Sequence, residues 1–259
     1  MESRQEMILS KENPLIKMTK SLQQKKFRKQ HGCFMIEGIR NSEEALKSNF
    51  VIMKALYSES LLQSERGQIL LKELAEKGIA TFFCEEKVLA SCSDTATCQG
   101  IILIGKLPDG KNMSLGQHLL VLDGVQDPGN LGTILRTAWA AGIDSVALLP
   151  GTVDAYSPKV VRSAMGAIYH LSLLLVEDVA AFYEALQKEN YEIWATNVEK
   201  GIDYRKAEKG EKWALVIGGE ANGVTALSYD YATHLLTIPM RENVESLNVA
   251  VAAGILMFQ

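Results

Sequence analysis

The sequence predicts an α/β protein in which a small N-terminal α/β domain precedes a larger α/β domain built on a mostly parallel sheet. Short apolar runs that are typical of buried strands alternate with helical patterns along most of the chain. A segment with three glycines, one proline and an Asp-Gly pair interrupts this alternation at residues 105–117. We therefore expect an N-terminal domain over residues 1–105, a linker over 106–117 and a C-terminal domain over 118–259.

The N-terminal domain begins with a mostly polar segment, Lys11 to Gln30, whose apolar residues have loosely helical spacing. Strands and helices are then expected in alternation, as in a small α/β module. The predicted strands are Cys33–Ile36, Val51–Tyr57, Ile79–Cys84 and Gly100–Ile104, and the predicted helices run from a cap at Asn41 or Ser42 through Leu46 and from Gly67 to Lys77.

The C-terminal domain contains six apolar runs separated by helical patterns. The predicted strands are His118–Leu122, Ser145–Leu149, Leu171–Val176, Glu192–Ala195, Trp213–Ile217 and Leu235–Ile238. Helices between strands imply crossover connections, so the strands should pair mostly in parallel with helices on both faces. Ligands of such sheets bind beyond the carboxyl ends of the strands, and the loops there are where a site is expected.

Composition excludes several classes of protein. With 47% hydrophobic and 22% charged residues, the 259-residue chain is neither disordered, collagen-like nor a disulfide scaffold. No apolar run approaches the roughly 18 residues of a membrane span, and no signal peptide is visible, so we expect a cytoplasmic protein. The four cysteines and four histidines lack ligand spacing, which predicts no metal site and cysteines buried as small apolar residues.

Charge is distributed unevenly along the chain. Residues 1–31 carry eight Lys and Arg against three Glu, a net charge of +5, whereas the remainder carries 19 against 28, a net charge of −9. One interpretation of this asymmetry is a local contact with a polyanion. The other is a solvated charged helix.

The first of three notable loops is VLDGVQDPGNLGTILRTAWAAG, residues 121–142. A strand ends at Asp123, Asn130 is placed to cap a helix, and Gly142 is placed to end it. Arg136 follows Asn130 by just under two turns and is expected to return toward the same flank of the helix. Its alternative role is that of a surface salt-bridge partner.

The second loop is ALVIGGEANGV, residues 214–224, in which a buried strand ends at Gly218 and Glu220 follows. Glycine at a strand end permits positive φ and close approach of a flat ligand to the backbone. The Asn-Gly pair also has a purely structural interpretation, because it is a common turn dipeptide.

The third loop is IPMRENVESLNVAVAAGILMF, residues 238–258. Ser246 is placed to cap a helix that is apolar nearly all round from Leu247 onward and should be buried. Asn248, in its first turn, is then a buried amide that must bond either to the neighbouring backbone and loops or to a ligand.

Common nucleotide and hydrolase fingerprints are absent from the sequence. There is no G-x-G-x-x-G, no G-x-x-x-x-G-K-[ST], no G-x-S-x-G and no H-E-x-x-H. Rossmann-type dinucleotide binding, P-loop, α/β-hydrolase and zincin interpretations are therefore excluded.

Taken together, NLGTILRTAWAAG, VIGGEANGV and IPMRENVESLNVAVAAGIL closely resemble the three motifs of the SpoU (TrmH-like) ribose 2′-O-methyltransferases of the SPOUT superfamily. The segment SPKVVRSAMGAIYHL extends the resemblance, while NPLIK, FMIEGIRNSEEAL and CSDTATCQGIIL resemble the small substrate-binding domain that often precedes that catalytic domain. Two positions depart from the motifs: Ala221 stands where glycine is usual and Ala250 where serine is common.

The resemblance implies a C-terminal domain with an α/β trefoil knot that binds S-adenosylmethionine, and a homodimer. Gly218, Ile238 and Leu247 would hold the cofactor largely through backbone groups, with Thr196 and Asn197 alongside. The implied reaction is attack of an RNA ribose 2′-hydroxyl on the sulfonium methyl group, for which no metal is needed.

By the same resemblance Arg136 is the central catalytic residue, surrounded by Asn130, Glu220, Ser246 and Asn248. Either Arg136 acts as a general base, or it holds a phosphate and stabilises charge on the 2′-oxygen. Because a guanidinium has a pKa above about 12, we favour the electrostatic role.

The implied substrate is structured RNA, with ribosomal RNA favoured over transfer RNA. We expect the basic segment to contact it through Lys25, Lys26, Arg28 and Lys29. The alternative docking surface is formed by Lys159, Arg162 and Arg241. Two other classes remain as alternatives: a non-catalytic RNA-binding protein, and a knotted methyltransferase that acts on a base or a protein.

Overall fold

The structure is a computed structural model that describes residues 7–93, 95, 98–108 and 115–259. It divides into two compact units, each with its own sheet. The first unit contains the described chain up to Pro108 together with Tyr156–Tyr169, and the second contains residues 115–155 and His170–Gln259. Half of the predicted linker, residues 109–114, lies outside the described residues, and the predicted domain limits stay a prediction.

The regular elements are named in chain order. The strands are β1 (Cys33–Glu37), β2 (Ile52–Tyr57), β3 (Ala80–Phe83), β4 (Ile101–Lys106), β5 (His118–Asp123), β6 (Ser145–Leu148), β7 (Ser172–Leu175), β8 (Glu192–Thr196), β9 (Ile202–Asp203), β10 (Trp213–Gly218) and β11 (His234–Thr237). The helices are α1 (Pro14–Ser21), α2 (Lys25–His31), α3 (Ile39–Lys47), α4 (Glu59–Leu62), α5 (Glu65–Glu76), α6 (Glu86–Ala90), α7 (Pro128–Ala140), α8 (Pro158–Ser163), α9 (Val179–Lys188), α10 (Ala226–Tyr231) and α11 (Val249–Met257).

Every strand predicted from an apolar run is present, with ends that differ by no more than two residues. The short strand β9 was not predicted, because two residues are too few to show a period. The continuous helical pattern of Lys11–Gln30 is divided in the structure into α1 and α2.

The first unit is built on a four-stranded sheet in the order β1-β4-β2-β3. Strand β4 pairs antiparallel with β1 and β2, and β2 pairs parallel with β3. All five residues of β1 are buried. Helix α8 packs against β1, and Tyr156 contacts the ring of Phe34 at a centroid distance of 5.0 Å. The segment Tyr156–Tyr169 therefore belongs to this unit, although in sequence it falls between two strands of the other sheet.

Helix α3 begins earlier than predicted. Its cap is Gly38, whose φ of 93° lies in a region that favours glycine. The predicted caps Asn41 and Ser42 lie inside the helix instead, where their side chains donate to the carbonyl oxygens of Glu37 and Gly38 at 3.2 and 2.9 Å. Both side chains bond to carbonyl oxygens one turn earlier and not to the N–H groups of a following first turn, so the predicted cap was wrong.

The second unit is built on a seven-stranded sheet in the order β7-β6-β5-β10-β8-β11-β9, and each neighbouring pair is parallel. The expectation of a mostly parallel sheet is confirmed. Strands β5 and β10 are adjacent, and β10 is buried from Trp213 to Ile217. Since all strands run the same way, their carboxyl ends and the three motif loops lie at one edge.

Within the described ranges, no helix combines the length and apolarity needed to span a bilayer. The same residues contain no group of three or more His, Cys, Asp or Glu side chains that could hold a metal ion. Cys33, Cys84 and Cys92 are buried, as expected of cysteines that pack as small apolar residues. Burial raises the pKa of Cys84 to about 12, so this thiol stays protonated near neutral pH.

Candidate active site

The first two motif loops are in direct backbone contact at the carboxyl ends of β5 and β10. Gly218 is paired in register with Asp123, and the N–H of Gly219 donates to the carbonyl oxygen of Asp123 at 2.8 Å. A Cβ atom on Gly219 would lie 2.0 Å from the carbonyl oxygen of Gly124. Only glycine allows the second loop to lie so close to the first.

A chain of hydrogen bonds joins all three loops. Asn130 Nδ2 donates to Glu220 Oε1 at 2.7 Å, and Asn248 Nδ2 donates to Asn130 Oδ1 at 3.0 Å. Asn248 Oδ1 in turn accepts from the backbone N–H groups of Ala250 and Val251 at 2.9 and 3.2 Å. Asn248 must present its oxygen to the N–H groups of α11, and Asn130 must present its NH₂ group to the carboxylate of Glu220. These two requirements fix the orientation of both amides. Three of the five predicted catalytic residues are thus brought together.

Two predicted helix caps were wrong. Asp127, not Asn130, caps α7 by accepting from the N–H of Asn130 at 2.8 Å, and Pro128 follows at the first helical position. Asn248, not Ser246, caps α11. Asn248 is also exposed rather than buried. Of the two partners considered for Asn248, the neighbouring loop is present, since it bonds to Asn130. The hydroxyl of Ser246, which does not cap α11, makes no hydrogen bond with the described residues.

Glu220 is held as a carboxylate. Burial pushes the pKa of this carboxyl upward, but hydrogen bonds from Asn130 and from nearby backbone N–H groups outweigh burial and lower the pKa below its ordinary value. One of these donors is the N–H of Gln126, at 3.1 Å from Oε2. Near neutral pH Glu220 therefore acts as a hydrogen-bond acceptor that holds Asn130, and not as an acid.

Arg136 is exposed and lies outside this hydrogen-bond chain. It makes no hydrogen bond or ion pair with the described residues, which removes the salt-bridge alternative within them. Six residues of α-helix correspond to a rotation of about 600°, so Arg136 diverges from Asn130 by about 120° around α7. The two side chains therefore do not return to one flank, as the sequence spacing suggested.

All five residues predicted to hold the cofactor line one cavity of about 380 Å³ at this edge of the sheet. They are Thr196, Asn197, Gly218, Ile238 and Leu247. Glu220 and Ser246 also line it, and Ile217, Leu236 and Leu256 add apolar surface. A largely apolar cavity of this size with a few polar groups at its wall is typical of a small-molecule site.

The polar side chains of Thr196 and Asn197 are bonded to neighbouring parts of the protein and so form part of the cavity wall. Thr196 Oγ1 donates to the carbonyl oxygen of Val216 at 3.0 Å. Asn197 Oδ1 accepts from two backbone N–H groups, and its Nδ2 donates to Tyr229 Oη at 3.1 Å. Tyr229 also lines the cavity, and it was missed because no motif or spacing in its helix α10 marks it.

Backbone groups remain available at the cavity. The N–H and carbonyl of Leu247 bond to none of the described residues. A Cβ atom on Gly218 would lie 2.1 Å from the carbonyl carbon of Gly223 and 2.2 Å from the nitrogen of Val224. Glycine is therefore required at 218 because the backbone of Gly223 and Val224 lies against it. This contact brings the Gly218–Val224 backbone to the cavity wall.

The four residues predicted to bind RNA differ in exposure. Lys25, Lys26 and Lys29 are exposed on α2. Arg28 is only 3% exposed, and its guanidinium donates to the carbonyl oxygens of Leu22 and Gln23 at 2.7 and 2.8 Å. Arg28 holds the carboxyl end of α1, so we withdraw it from the predicted RNA contacts.

Comparison with known proteins agrees with this architecture. The SpoU rRNA Methylase family matches residues 117–258, and the MRM3-like substrate binding domain matches residues 13–103. The chain belongs to the SpoU rRNA methylase family. The resemblance seen in the motifs is confirmed, and so is the expected arrangement of substrate-binding and methylase parts in one chain.

A curated relative from Bacillus subtilis, the 23S rRNA (guanosine(2553)-2′-O)-methyltransferase RlmP, is 35% identical over 97% of this chain and 97% of its own. An rRNA methyltransferase from Sinorhizobium meliloti, solved both alone and with AdoMet bound, is 28% identical with a TM-score of 0.86 over 98% of this chain and 96% of its own. The SpoU methyltransferase AviRb from Streptomyces viridochromogenes shares the fold, with a TM-score of 0.82 over 95% of this chain and 96% of its own at 22% identity.

The second unit accordingly has the α/β-knot fold of the SPOUT superfamily, and the predicted fold class is confirmed. The protein is an RNA ribose 2′-O-methyltransferase that uses S-adenosylmethionine. The cavity fits this cofactor: the backbone groups of Leu247, which bond to none of the described residues, could bond its polar edge, and Ile238 and Leu256 could contact its flat faces.

Replacing Gly218 by alanine tests the cavity wall. The added methyl group must displace the Gly223–Val224 backbone, so we expect the affinity for S-adenosylmethionine in calorimetry to fall at least about tenfold. Gly116→Ala is the matched control, because its Cβ would lie 3.4 Å from its nearest neighbour, Ser145 Oγ. Unchanged cofactor affinity in a folded Gly218→Ala protein would remove this wall from the site.

Proposed function

We propose that the protein methylates the ribose 2′-hydroxyl of one nucleotide in the large ribosomal RNA, at the edge of the second sheet where the three motif loops meet. The hydrogen-bond chain Glu220–Asn130–Asn248 carries this proposal, because it places oriented amides beside a cavity that fits the methyl donor. The activity of the Bacillus subtilis relative on 23S rRNA supports the choice of RNA. We also propose that the protein works in the cytoplasm, where bacterial ribosomal RNA is modified.

The amides of Asn130 and Asn248 orient the ribose. Each side-chain amide has two N–H donors, and within the described residues each uses one of them. The remaining N–H groups are available to the ribose oxygens or to a neighbouring phosphate. Since Glu220 and the first turn of α11 fix both amides, these donors are preorganised before RNA binds.

Arg136 provides positive charge and Ser246 a hydroxyl. S-adenosylmethionine, when bound, supplies an electrophilic methyl group. The guanidinium of Arg136 on α7, which bonds to none of the described residues, can bind the phosphate beside the target ribose and stabilise negative charge as it develops on the 2′-oxygen. The exposed hydroxyl of Ser246, at the cavity wall, can accept a hydrogen bond from the 2′-hydroxyl and relay its proton to water.

Arg136→Ala should reduce the rate of methyl transfer by about 10²–10³ while cofactor affinity stays normal, because the electrostatic contact to the phosphate and to the developing charge on the 2′-oxygen is lost. Arg205→Ala is the matched control, since this exposed arginine is paired with Asp203 and lies outside the cavity wall. Ribose-methylation maps from cells that lack the gene should lose one position in the large ribosomal RNA. Wild type and Arg205→Ala should restore it, and Arg136→Ala should not. Maps identical with and without the gene would refute the proposed substrate.

A homodimer is the second part of the proposal. Val251 and Phe258 are 53% and 65% exposed, and residues seven apart lie on one face of a helix. The helix α11 was expected to be buried because it is apolar nearly all round, but in a single chain it presents part of its surface to solvent. A second copy of the chain, related by a twofold axis, can cover this face.

Val251→Asp should convert the dimer to a monomer of the 28.5 kDa chain mass, because dimerisation would bury the new charge. Sedimentation velocity at micromolar concentration measures the change. Ile69→Asp, at a residue that is 52% exposed in the first unit, should leave the dimer intact. A wild-type monomer with full activity would contradict the proposal.

The third part concerns RNA contacts by the first unit. Lys25 and Lys26 lie in the first turn of α2, which contains no acidic residue. Positive charge at a helix N-terminus opposes the helix dipole and costs stability. Binding to phosphates supplies a reason for these lysines, with Lys29 completing the cluster.

Changing Lys25, Lys26 and Lys29 together to Gln should reduce the slope of log affinity for RNA against log salt by about 2, since each phosphate contact on single-stranded RNA contributes about 0.7. The control triple variant alters Lys72, Lys87 and Lys188, which are exposed and outside α2. Filter binding across a salt series provides the measurement. Equal slopes for both variants would mean that α2 is only a solvated face.

A further inference from the structure

The first unit contains a second cavity, of about 270 Å³, at the amino end of α3. Half of its lining comes from the segment FMIEGIRNSEEAL, and none of its lining residues lines the cofactor cavity. Its lining residues are Glu37, Gly38, Arg40, Asn41, Thr95, Gln99, Arg162 and Met165, and all belong to the first unit.

The carboxylate in this cavity is already neutralised. Glu37 is 7% exposed, and its Oε1 accepts from Ser93 Oγ and, at 2.9 Å, from Thr95 Oγ1. Its Oε2 accepts from Arg162 at 3.1 Å in an ion pair. Glu37 and Arg162 therefore form a paired wall, which also means that Arg162 is not a free docking cation.

Arg40 is the cation at this cavity that has no bonded acid among the described residues. The acids further along α3 have partners: Glu43 pairs with Arg66, and Glu44 pairs with Lys47. Arg40 is exposed at the cavity and makes no hydrogen bond or ion pair with the described residues. The charge of Arg40 helps to lower the pKa of Glu43, but that carboxylate is already bonded to Arg66, so an anion would find a guanidinium with no bonded partner among the described residues.

The amino end of α3 adds donors. Gly38 caps the helix and has no side chain to accept from its first N–H groups. Gln99 Oε1 accepts from the N–H of Ile39 at 3.0 Å, while the N–H groups of Arg40 and Asn41 have no partner among the described residues. The helix dipole and free donors at this end also favour an anion.

Asn41 supplies an independent indication of a ligand. The residue is 7% exposed, and its Nδ2 donates to the carbonyl oxygen of Glu37 at 3.2 Å. Its Oδ1 is buried and has no hydrogen-bond partner among the described residues. A buried acceptor without a donor is costly, so the ligand should carry an N–H or O–H group as well as negative charge.

We propose that this cavity binds one nucleotide of the substrate RNA, with a backbone phosphate against Arg40 and the first turn of α3 and a hydroxyl or base N–H directed to Asn41. A nucleotide combines the anion and the donor that the cavity requires. This inference rests on the proposed function for its ligand. The exposed lysines of α2 belong to the same unit and would hold other phosphates of that RNA.

Arg40→Gln tests the subsite, because the side chain is exposed and has no hydrogen bond or ion pair with the described residues to lose. The affinity for a transcript of large ribosomal RNA, measured by fluorescence anisotropy, should fall about tenfold, as for loss of one charge-assisted contact. Arg40→Lys should be intermediate. Lys72→Gln removes the same charge from the same unit at the exposed helix α5 and should stay within about twofold of wild type. Cofactor affinity should be unchanged in all three.

Phosphate-ethylation interference locates the contact. Wild type and Lys72→Gln should show the same set of interfering phosphates, and Arg40→Gln should lose one of them. The subsite is overturned if the wild type binds no RNA, if Arg40→Gln binds RNA like the wild type, or if Lys72→Gln loses as much affinity. Binding of mononucleotides as tight as that of the transcript would overturn the assignment to RNA.

Methyl transfer from labelled cofactor, measured separately, distinguishes this proposal from the proposed function. A wild type that binds RNA through Arg40 but transfers no methyl group to it would refute the function and keep the subsite. Normal methyl transfer with binding that does not depend on Arg40 would keep the function and overturn the subsite.

Discussion

The hydrogen-bond chain from Glu220 through Asn130 to Asn248 is the interaction on which the site depends. Each member belongs to a different motif loop, and each bond fixes the donor and acceptor sense of the next. The chain ends on the first turn of α11, so the cap of the last helix and the wall of the cofactor cavity are one structure. Hydrogen bonds from Asn130 and from backbone N–H groups lower the pKa of Glu220, so its carboxylate stays an acceptor at neutral pH.

Backbone contacts account for several of the small residues in the motif loops. Gly218 and Gly219 are needed because a Cβ atom would lie only 2.1 Å from the carbonyl carbon of Gly223 at the first position and 2.0 Å from the carbonyl oxygen of Gly124 at the second. Ala250, where serine is common in the family, contributes to the cap of α11 only through its N–H. A small residue of either kind serves there, because the bond does not involve its side chain.

The first unit arranges its charges differently from the catalytic edge. Its internal acids are paired with cations, as in Glu37–Arg162 and Glu43–Arg66. The exposed Lys25 and Lys29, with Arg40, are left without such partners in the described part of the chain. An acidic protein can thereby present local positive charge to a polyanion, because screening limits electrostatic attraction to about 8–10 Å at physiological salt.

The sequence by itself determined ten of the strands, the parallel pairing of the second sheet, the three loops at one edge of that sheet and five of the residues that line the cavity, because burial and motif order are recorded along the chain. Only the tertiary structure decided which polar groups meet. The bond of Asn130 to Glu220 spans 90 residues and its bond to Asn248 spans 118. The same holds for Glu37 and Arg162, which are 125 residues apart, and for the Tyr156–Tyr169 segment, which packs within the first unit. Arg28 looked like a surface cation in sequence but is buried under the end of α1. A local pattern reports periodicity and capping, whereas the partner of a polar side chain exists only after distant segments have packed together.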